Sequence, residues 1–375
     1  MEYRKFEKLG VAPSLLGFGC MRFPTNEEGK IDYEKSEAMI DYAIANGVTY
    51  IDTARPYHNG ESEIFLGKVL KKYNRDSYYL ATKLSFWMVN TLEDAIAFFE
   101  DQLKVLNTTY IDFYLLHCLD KKNWQKAKET GMLEYLIKQK EEGKIKYLGF
   151  SFHDDYEVFE EIVTYRDWDF CQIQYNYVDR NIQAGDKGYE LCERLGIPMV
   201  IMEPVKGGNL ATLPEDVTKP FKEYDADKSV ASWALRWVAS HSNIKVILSG
   251  MSTMEQVEDN VKTFSTLSTL NEKEHKIVEN VAEAIHARIK VGCTNCQYCM
   301  PCPFGVKIPH HFRLWNDLSM YNNKDRIKNT YDSMIQEEGS AQHCIKCGKC
   351  ETLCPQGIKI RDMLVLADEA LKKVL

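Results

Sequence analysis

The sequence predicts an α/β protein in which a (β/α)8 TIM barrel is followed by a small, mainly α-helical domain. The first observation is a series of eight short apolar runs, rich in β-branched and aromatic residues and separated mostly by helical patterns. The second is the placement of the 12 cysteines, because four are scattered before residue 200 and eight lie in two short runs after residue 290. We therefore expect a barrel over residues 1–270, a connecting helix over 271–290 and a second domain over 291–375.

The predicted strands alternate with helices along the barrel region. They are Leu15–Cys20, Thr49–Ala54, Tyr78–Lys83, Ile111–His117, Ile145–Ser151, Phe170–Asn176, Met199–Pro204 and Val246–Gly250. Two helices have recognisable ends, because Asp32–Asn46 stops before Gly47 and Thr91–Leu106 opens with TLED, a capping-box sequence. Continuous apolar strands that alternate with helices indicate a parallel sheet covered by helices.

The glycines of the first strand distinguish an open, doubly wound sheet from a closed barrel. An open, doubly wound sheet that binds a dinucleotide needs three glycines spaced as GxGxxG. Gly17 and Gly19 are followed by Arg22 where the third glycine would stand, so the closed barrel is favoured. In a barrel of this kind, functional side chains are expected at the C-terminal ends of the strands.

The composition excludes several classes of protein. The 47 lysines and arginines are outnumbered by 55 aspartates and glutamates, and this net charge of −8 argues against nucleic-acid binding. No apolar run approaches the roughly 20 residues of a membrane-spanning helix. The first ten residues, MEYRKFEKLG, lack the apolar core of a signal peptide, so we expect a cytoplasmic protein without disulfides.

Four chemically active residues lie at or just after consecutive strand ends. They are Asp52, Tyr57, Lys83 and His117. Any one of them alone is commonly structural, but the set is typical of a site that donates a proton to a carbonyl. Tyr57 would be the general acid in reduction and the base in oxidation, a nearby lysine would stabilise its phenolate, and the aspartate would keep that lysine charged. His117 would donate a hydrogen bond to the carbonyl oxygen.

The segments DTA with the following Tyr57 and GESE, then ATK, LLH, GFS, QIQYN and SG…VEDN, resemble the aldo-keto reductases in order and spacing over residues 1–265. The resemblance implies a barrel that binds NADPH or NADH and passes hydride to a carbonyl, with the four residues above as its tetrad. It also implies a set of nucleotide contacts, namely Ser151, Gln172, Met202, Ser249, Gly250, Gln256, Asp259 and Asn260.

Three departures from the family pattern concern the nucleotide. Met202 stands where many members carry an aromatic residue that stacks on the nicotinamide, and a thioether can still lie against that ring. Gln256 replaces an arginine that NADPH-specific members use for the 2′-phosphate, and the lysine after strand eight is lost within Ser249–Met251. Without both cations the phosphate clamp is lost, so NADH and NADPH both remain open.

The two cysteine runs have the spacing of iron–sulfur ligands. The first run is Cys293, Cys296, Cys299 and Cys302, and the second is Cys344, Cys347, Cys350 and Cys354. The second run matches the bacterial C-x2-C-x2-C-x3-C-P pattern of [4Fe–4S] proteins, in which the fourth cysteine ligates the other cluster. That logic groups Cys354 with the first three cysteines of the first run, and Cys302 with the first three of the second. Zinc is disfavoured, because structural zinc sites use pairs of ligands.

The chain as a whole resembles aldo/keto reductases with a C-terminal ferredoxin-like domain, helical and carrying two [4Fe–4S] clusters. This implies reduction of an aldehyde or ketone, or oxidation of an alcohol, with NAD(P)H. The clusters imply electron exchange with a redox protein partner or use in an additional reaction, although the sequence has no flavin signature. The alternatives are an electron-transfer protein whose barrel is only a docking scaffold, and clusters that only stabilise the fold.

The remaining polar motifs are predicted to be structural. We expect Lys346 and Lys349 to be solvated rather than part of a partner surface, and the adjacent histidines His310 and His311 to lie at the surface. The other four cysteines are expected to pack as small apolar residues.

Overall fold

The computed structural model describes residues 1–374. Eight parallel strands form a closed barrel in sequence order, and β8 pairs with β1 through Leu16 and Ile247. The strands are β1 Leu16–Gly19, β2 Tyr50–Asp52, β3 Tyr79–Ser85, β4 Ile111–Leu119, β5 Ile145–Phe152, β6 Phe170–Gln174, β7 Met199–Met202 and β8 Ile244–Ser249. The predicted barrel is confirmed.

Helices follow the strands and continue beyond the barrel. In chain order they are α1 Tyr33–Ala45, α2 Glu61–Val69, α3 Leu92–Val105, α4 Lys121–Glu129, α5 Met132–Glu141, α6 Tyr156–Tyr165, α7 Gly185–Leu195, α8 Glu215–Tyr224, α9 Val230–Ala239, α10 Met254–Ser265, α11 Glu272–His286, α12 Ile308–Tyr321, α13 Lys324–Gln336, α14 Lys349–Thr352 and α15 Ile360–Lys372. None of these helices, within residues 1–374, is long and apolar enough to cross a membrane.

The predicted helix ends of α1 and α3 are also found. The Asp32 side chain accepts a hydrogen bond from the Lys35 amide at the start of α1, and Gly47 after its end has a φ of +89°. At α3, the Thr91 hydroxyl accepts from the Asp94 amide while the Asp94 carboxylate accepts from the Thr91 amide. This reciprocal pair is the capping box that TLED predicts.

Side chains that point into the barrel form its central core. Phe6 and the strand residues Tyr50, Phe113, Phe170 and Val200 are all fully buried in this cluster. Phe6 comes from the segment before β1, where its main chain pairs with Val11. The core fills the barrel interior, so the space for a ligand lies at the ends of the strands.

The chain divides into two compact units. The first comprises residues 1–207 and 232–272, and the second comprises 208–231 together with the chain from 273 onward. Within the second unit, Arg288 forms an ion pair with Asp216, and Asn323 donates a hydrogen bond to the Asn209 side chain at 3.3 Å. These contacts tie residues 208–231 to the later helices. The domain boundaries at 270 and 290 stay a prediction.

The second unit is helical and has its own apolar core around the cysteine runs. Val306, Ile308, Phe312 and Ile360 are buried there, and the cysteines pack against this cluster. The expectation that both adjacent histidines lie at the surface is wrong for His311, which is fully buried at the start of α12. Its Nε2–H donates to the Gly339 carbonyl at 3.1 Å, and burial lowers its pKa.

Candidate active site

A buried ion pair joins the ends of β2 and β3. Lys83 Nζ lies 2.7 and 2.8 Å from the two carboxylate oxygens of Asp52 and donates a third hydrogen bond to the Thr53 carbonyl at 2.7 Å. The Lys83 side chain is fully buried, and Asp52 is 3% exposed. Burial lowers the pKa of Lys83, but the charge of Asp52 and the neighbouring Tyr57 outweigh it, so the net pKa is raised and the ammonium is retained.

Tyr57 lies in a short turn after β2, and this turn places the Tyr57 ring over the ion pair of Asp52 and Lys83. The turn Tyr57–Gly60 contains two non-glycine residues in the left-handed region, His58 at φ 51° and Asn59 at φ 55°. Lys83 Nζ lies 5.1 Å from the centre of the Tyr57 ring. Burial raises the pKa of Tyr57, and the charge and hydrogen bond of Lys83 only partly offset this, so the phenol is protonated at neutral pH.

His117 is on β4, and its ring lies next to that of Tyr57. Their ring centres are 6.2 Å apart and nearly perpendicular, and the exposed indole of Trp87 lies 4.9 Å from the imidazole. His117 Nδ1 forms a hydrogen bond of 2.8 Å with the Ser85 hydroxyl. The pKa of His117 is held well below its usual range, mainly because the ring is buried and secondly because the charge of Lys83 is close to it. The ring is therefore neutral, and when Ser85 donates to Nδ1 the proton is on Nε2.

An irregularity in β4 fixes the backbone directly after His117. The pairing of β4 with β5 shifts register between Leu116 and Leu119, and Cys118 has a φ of +56°. The Cys118 amide donates to the Ser151 hydroxyl oxygen at 2.8 Å. Bulges of this kind occur beside active sites because they redirect a side chain.

A second buried hydrogen-bond network, centred on Glu63, contacts β3. The fully buried carboxylate of Glu63 accepts hydrogen bonds of 2.6 Å from Arg55, Thr82 and Gln102. Gln102 also donates to the Lys83 carbonyl at 3.1 Å. The network links α2 and α3 to the strand that carries the lysine.

Three of the four predicted tetrad residues line one cavity of about 520 Å³ at the C-terminal ends of the strands. Of the predicted site residues, the cavity is lined by Asp52, Tyr57, His117, Ser151, Gln172, Met202 and Gly250. Lys83 lies beneath it through its contacts with Asp52 and Tyr57. Ser249, Gln256, Asp259 and Asn260 do not line it.

Sequence reasoning missed several cavity residues. They are Met21, Arg22, Pro56, His58, Trp87, His153, Glu203 and Leu248, with Gly19 at the end of β1. Most lie in loops after strands, where no spacing rule marks them. Ser85 was within reach of sequence reasoning, because it lies two residues after Lys83 and alternate strand residues share a face.

One side of the cavity carries groups that fit the carboxamide of a nicotinamide. Gln172 is 2% exposed, and its Oε1 is a buried acceptor without a hydrogen-bond partner in the described structure. Its Nε2 contacts the Met202 sulfur at 3.5 Å. Buried acceptors normally have a hydrogen-bond donor, and the N–H of a bound amide would supply one to Gln172 Oε1. The described residues therefore fit this part of the nucleotide.

The segment after β8 is neutral to acidic where the nucleotide phosphates are expected. Asn260 Nδ2 donates to the Ser249 hydroxyl at 2.9 Å, and both side chains are buried. The Gln256 side chain accepts from the Ser252 amide at 2.8 Å. Residues 250–260 contain three carboxylates and no cation. A cation does approach from β1, because the Arg22 side chain packs beside Gly250.

The eight predicted cluster ligands gather in two groups in the second unit. Three cysteines of the first run share a small cavity of about 20 Å³ with one of the second run, namely Cys293, Cys296, Cys299 and Cys354. A larger cavity of about 170 Å³ is lined by Cys302, Cys344, Cys347 and Cys350, with Cys299 at its edge. The fourth cysteine of each run thus lies with the other run.

Each of the two groups contains four cysteines, the ligand number of one [4Fe–4S] cluster. Within residues 1–374, no three side chains of cysteine, histidine, aspartate or glutamate are placed to share one metal ion. A zinc site brings four ligands to one atom, whereas each thiolate of a [4Fe–4S] cluster binds a different iron. The donor set of four cysteines in each group fits one [4Fe–4S] cluster apiece.

The barrel, its polar strand ends and the cysteine-rich helical unit define an oxidoreductase that combines a catalytic barrel with an iron–sulfur module. Residues 15–283 match the aldo/keto reductase family, and residues 292–358 match the 4Fe-4S dicluster domain. The first match covers more than half of the chain, so this chain belongs to the aldo/keto reductase family.

Curated relatives agree with that assignment. The chain is 30% identical over 208 residues to "Probable aldo-keto reductase 1" of Glycine max, a match that covers 53% of this chain and 58% of the relative. It is 28% identical to aldo-keto reductase YhdN of Bacillus subtilis, over 76% of this chain and 94% of the relative. It is 25% identical to the NADH-specific methylglyoxal reductase of Escherichia coli, over 64% and 85% respectively.

A solved structure shows the same barrel. The holo form of aldo-keto reductase AKR11C1 from Bacillus halodurans is similar with a TM-score of 0.65 and 27% sequence identity. The similarity covers 76% of this chain and 97% of that one. The family and fold predicted from the sequence are therefore confirmed.

Proposed function

We propose that this chain is a nicotinamide-dependent reductase of an aldehyde or ketone, working also in the direction of alcohol oxidation, with two [4Fe–4S] clusters in its C-terminal module. The observation that carries the proposal is the buried Asp52–Lys83 ion pair beneath Tyr57, in a cavity shared with His117. The domains proposed for this function are a barrel over 1–270, a helix over 271–290 and a ferredoxin-like module over 291–375.

The proposed proton donor is the hydroxyl of Tyr57. Burial raises its pKa, so the phenol keeps its proton until an alkoxide forms on the substrate. An alkoxide is much more basic than a phenolate and takes that proton readily. Lys83 then stabilises the phenolate, and Asp52 keeps Lys83 charged while the phenol is neutral.

The other residues bind and orient. Neutral His117 donates a hydrogen bond to the carbonyl oxygen as negative charge develops on it. Ser151 and the unpaired Oε1 of Gln172 would hold the nicotinamide carboxamide, with Met202 beside them. When bound, the nicotinamide supplies or accepts the hydride.

Tyr57→Phe tests this assignment directly. We expect kcat for NADH-dependent reduction of a small aldehyde such as methylglyoxal to fall by roughly two to four orders of magnitude, the usual contribution of a general acid, with little change in nucleotide binding. Tyr177→Phe is the matched control, because it removes a buried hydroxyl that has no hydrogen-bond partner in the described structure and lies outside the cavity lining. Unchanged kcat in Tyr57→Phe favours the alternative, in which the barrel is a docking scaffold for electron transfer.

For the nucleotide we propose a preference for NADH. Residues 250–260 contain three carboxylates and no cation, which disfavours a 2′-phosphate although Arg22 packs beside Gly250, and Gln256 stands where an arginine would bind that phosphate. We expect Gln256→Arg to tighten NADPH binding about tenfold, with NADH nearly unchanged. Gln256→Met controls for loss of the amide, and fluorescence titration measures both dissociation constants. Tighter binding of NADPH than of NADH by the unaltered protein would contradict the preference.

The proposed clusters are held by Cys293, Cys296, Cys299 and Cys354, and by Cys344, Cys347, Cys350 and Cys302. Their coupling to the barrel is tested by adding NADH, then separately NADPH, to anaerobic cluster-loaded protein, with EPR as the readout. Reduction of the clusters supports exchange of electrons within the chain. If only a stronger reductant reduces them, the clusters serve an outside partner or stabilise the module.

A further inference from the structure

The cavity around Cys302, Cys344, Cys347 and Cys350 opens at the protein surface between exposed apolar side chains. Ile345 is 62% exposed, Leu353 46% and Phe304 41%, and all three line this cavity. Large apolar side chains exposed together are uncommon on a monomer unless a partner covers them. We name Phe304, Ile345, Lys346, Lys349 and Leu353 the cluster rim.

The chain around the cluster rim is cationic in an otherwise acidic protein. Residues 344–353 carry Lys346 and Lys349 against the single carboxylate of Glu351, and Arg361 lines the same cavity. Glu351 is already engaged, because it accepts two hydrogen bonds from the Arg361 guanidinium at 2.7 and 3.0 Å. Lys346 and Lys349 are exposed.

The other group of cysteines has a different surface. Besides its cysteines, that cavity is lined by Thr294, Gln297 and Gln356 together with apolar residues. Residues 293–306 contain no charged side chain. Exposed apolar side chains and cations therefore lie together at the cavity of Cys302, whereas the lining of the other cavity has no charged side chain.

We propose that the cluster rim is the docking surface for a small acidic electron-carrier protein. Apolar contacts from Phe304, Ile345 and Leu353 supply affinity at the centre, and Lys346 and Lys349 steer a partner of opposite charge. This inference rests on the proposed presence of a cluster at Cys302, Cys344, Cys347 and Cys350. In the step itself, one electron leaves the reduced carrier and reduces that cluster from its 2+ to its 1+ state, and no proton is transferred.

The test uses the full-length, cluster-loaded chain under anaerobic conditions, with a reduced plant-type [2Fe–2S] ferredoxin as the acidic probe. Stopped-flow absorbance gives the second-order rate constant of electron transfer, and calorimetry gives the dissociation constant of the oxidised pair. For the unaltered chain we expect the rate constant to fall steeply between low and high ionic strength. The double variant Lys346→Glu with Lys349→Glu should bind at least tenfold more weakly and lose most of this salt dependence.

The matched control is Lys324→Glu with Lys373→Glu, which makes the same charge change at two exposed lysines outside the cluster rim. We expect it to stay within about twofold of the unaltered chain. Equal losses in both double variants, or no salt dependence, would overturn the proposal. Binding to vesicles of anionic lipid in preference to ferredoxin would overturn it in favour of a membrane surface.

EPR and iron content of each variant keep this test separate from the proposed function. If the clusters are absent from the unaltered chain, the cluster assignment itself fails. If the clusters and the Tyr57-dependent reductase activity are intact and docking alone is unaffected by the lysine changes, only the docking surface is wrong.

Discussion

At the scale of single residues, the ion pair of Lys83 and Asp52 is explained by chemistry rather than by stability. Burying two charges costs about as much as their attraction returns, so such pairs contribute little to folding. Here both charges are almost completely buried, and they lie directly beneath the Tyr57 ring. We infer that the pair is kept to stabilise a phenolate.

This account predicts that stability and activity separate. Lys83→Met alone leaves the Asp52 carboxylate buried without its cation, so we expect the barrel to lose about 3–5 kcal/mol of unfolding free energy. Lys83→Met combined with Asp52→Leu should recover most of that loss while the reductase activity stays absent. Anaerobic urea titrations followed by circular dichroism, together with steady-state kinetics, measure both effects. Recovery of activity in the double variant would refute the role of the pair.

His117 predicts a dependence of stability on pH. Burial depresses its pKa in the folded chain, so below the unfolded value of about 6.5 the unfolded chain binds a proton that the folded chain does not. Stability should therefore fall as the pH falls, by up to about 1.4 kcal/mol per pH unit from this group. His117→Gln removes that contribution, and the difference between the two urea curves from pH 7.5 to pH 5.5 measures it. Parallel curves would show that His117 does not titrate there. Burial also lowers the pKa of His58 and His153, but both variants share that effect.

At the scale of elements, the strands could be predicted because eight apolar runs and intervening helices repeat along the chain. The strand ends were less certain, since β3 continues past Lys83 to Ser85 and β4 past His117 to Leu119. The turn in β4 at Cys118 leaves no mark in a sequence, because a non-glycine residue adopts the positive φ there. The hydrogen bond between Ser85 and His117 depends on this cross-strand geometry, and it required the structure.

The sequence of helix α3 predicts where the helix begins, and the helix carries a residue that contacts the active-site strand. Its capping box was readable as TLED, and the helix carries Gln102, which binds the Lys83 carbonyl. We expect Thr91→Ala to lower the unfolding free energy by about 1 kcal/mol, because an orphan amide loses its acceptor. Thr91→Ser keeps a hydroxyl at the cap and should stay close to the unaltered chain in the same urea titration. An equal loss in Thr91→Ser would assign the effect to the methyl group instead.

At the scale of the whole molecule, two features depend on contacts between distant segments. Residues 208–231 follow β7 in sequence but belong to the second compact unit, which no local pattern indicates. By contrast, the exchange of the fourth cysteines was predictable, because the second run has a known ligand spacing. The structure brings Cys302 to the later run and Cys354 to the earlier one.

Pairs of cysteine variants test this exchange. If Cys302 and Cys347 serve one cluster, the double variant Cys302→Ser with Cys347→Ser should lose about four irons and keep about four. Cys302→Ser with Cys296→Ser should lose both clusters. An uncrossed arrangement predicts the opposite iron contents, so chemical iron analysis with EPR of the reduced protein decides between them. Each pair changes one exposed cysteine, Cys296 or Cys347, which keeps the comparison matched.

The proposed exchange of Cys302 and Cys354 also has a consequence for the order in which the chain is synthesised and its clusters are assembled. During synthesis the first run is made 41 residues before the second begins, and in the proposed exchange neither run holds all four ligands of one cluster. The cluster proposed at Cys302 can therefore be fully coordinated only after residue 350 has been made, and the cluster proposed at Cys354 only after residue 354. In the proposed exchange the two clusters are also linked under oxygen, because loss of one cluster leaves the segment that carries a ligand of the other less restrained, so the second cluster should then be lost faster.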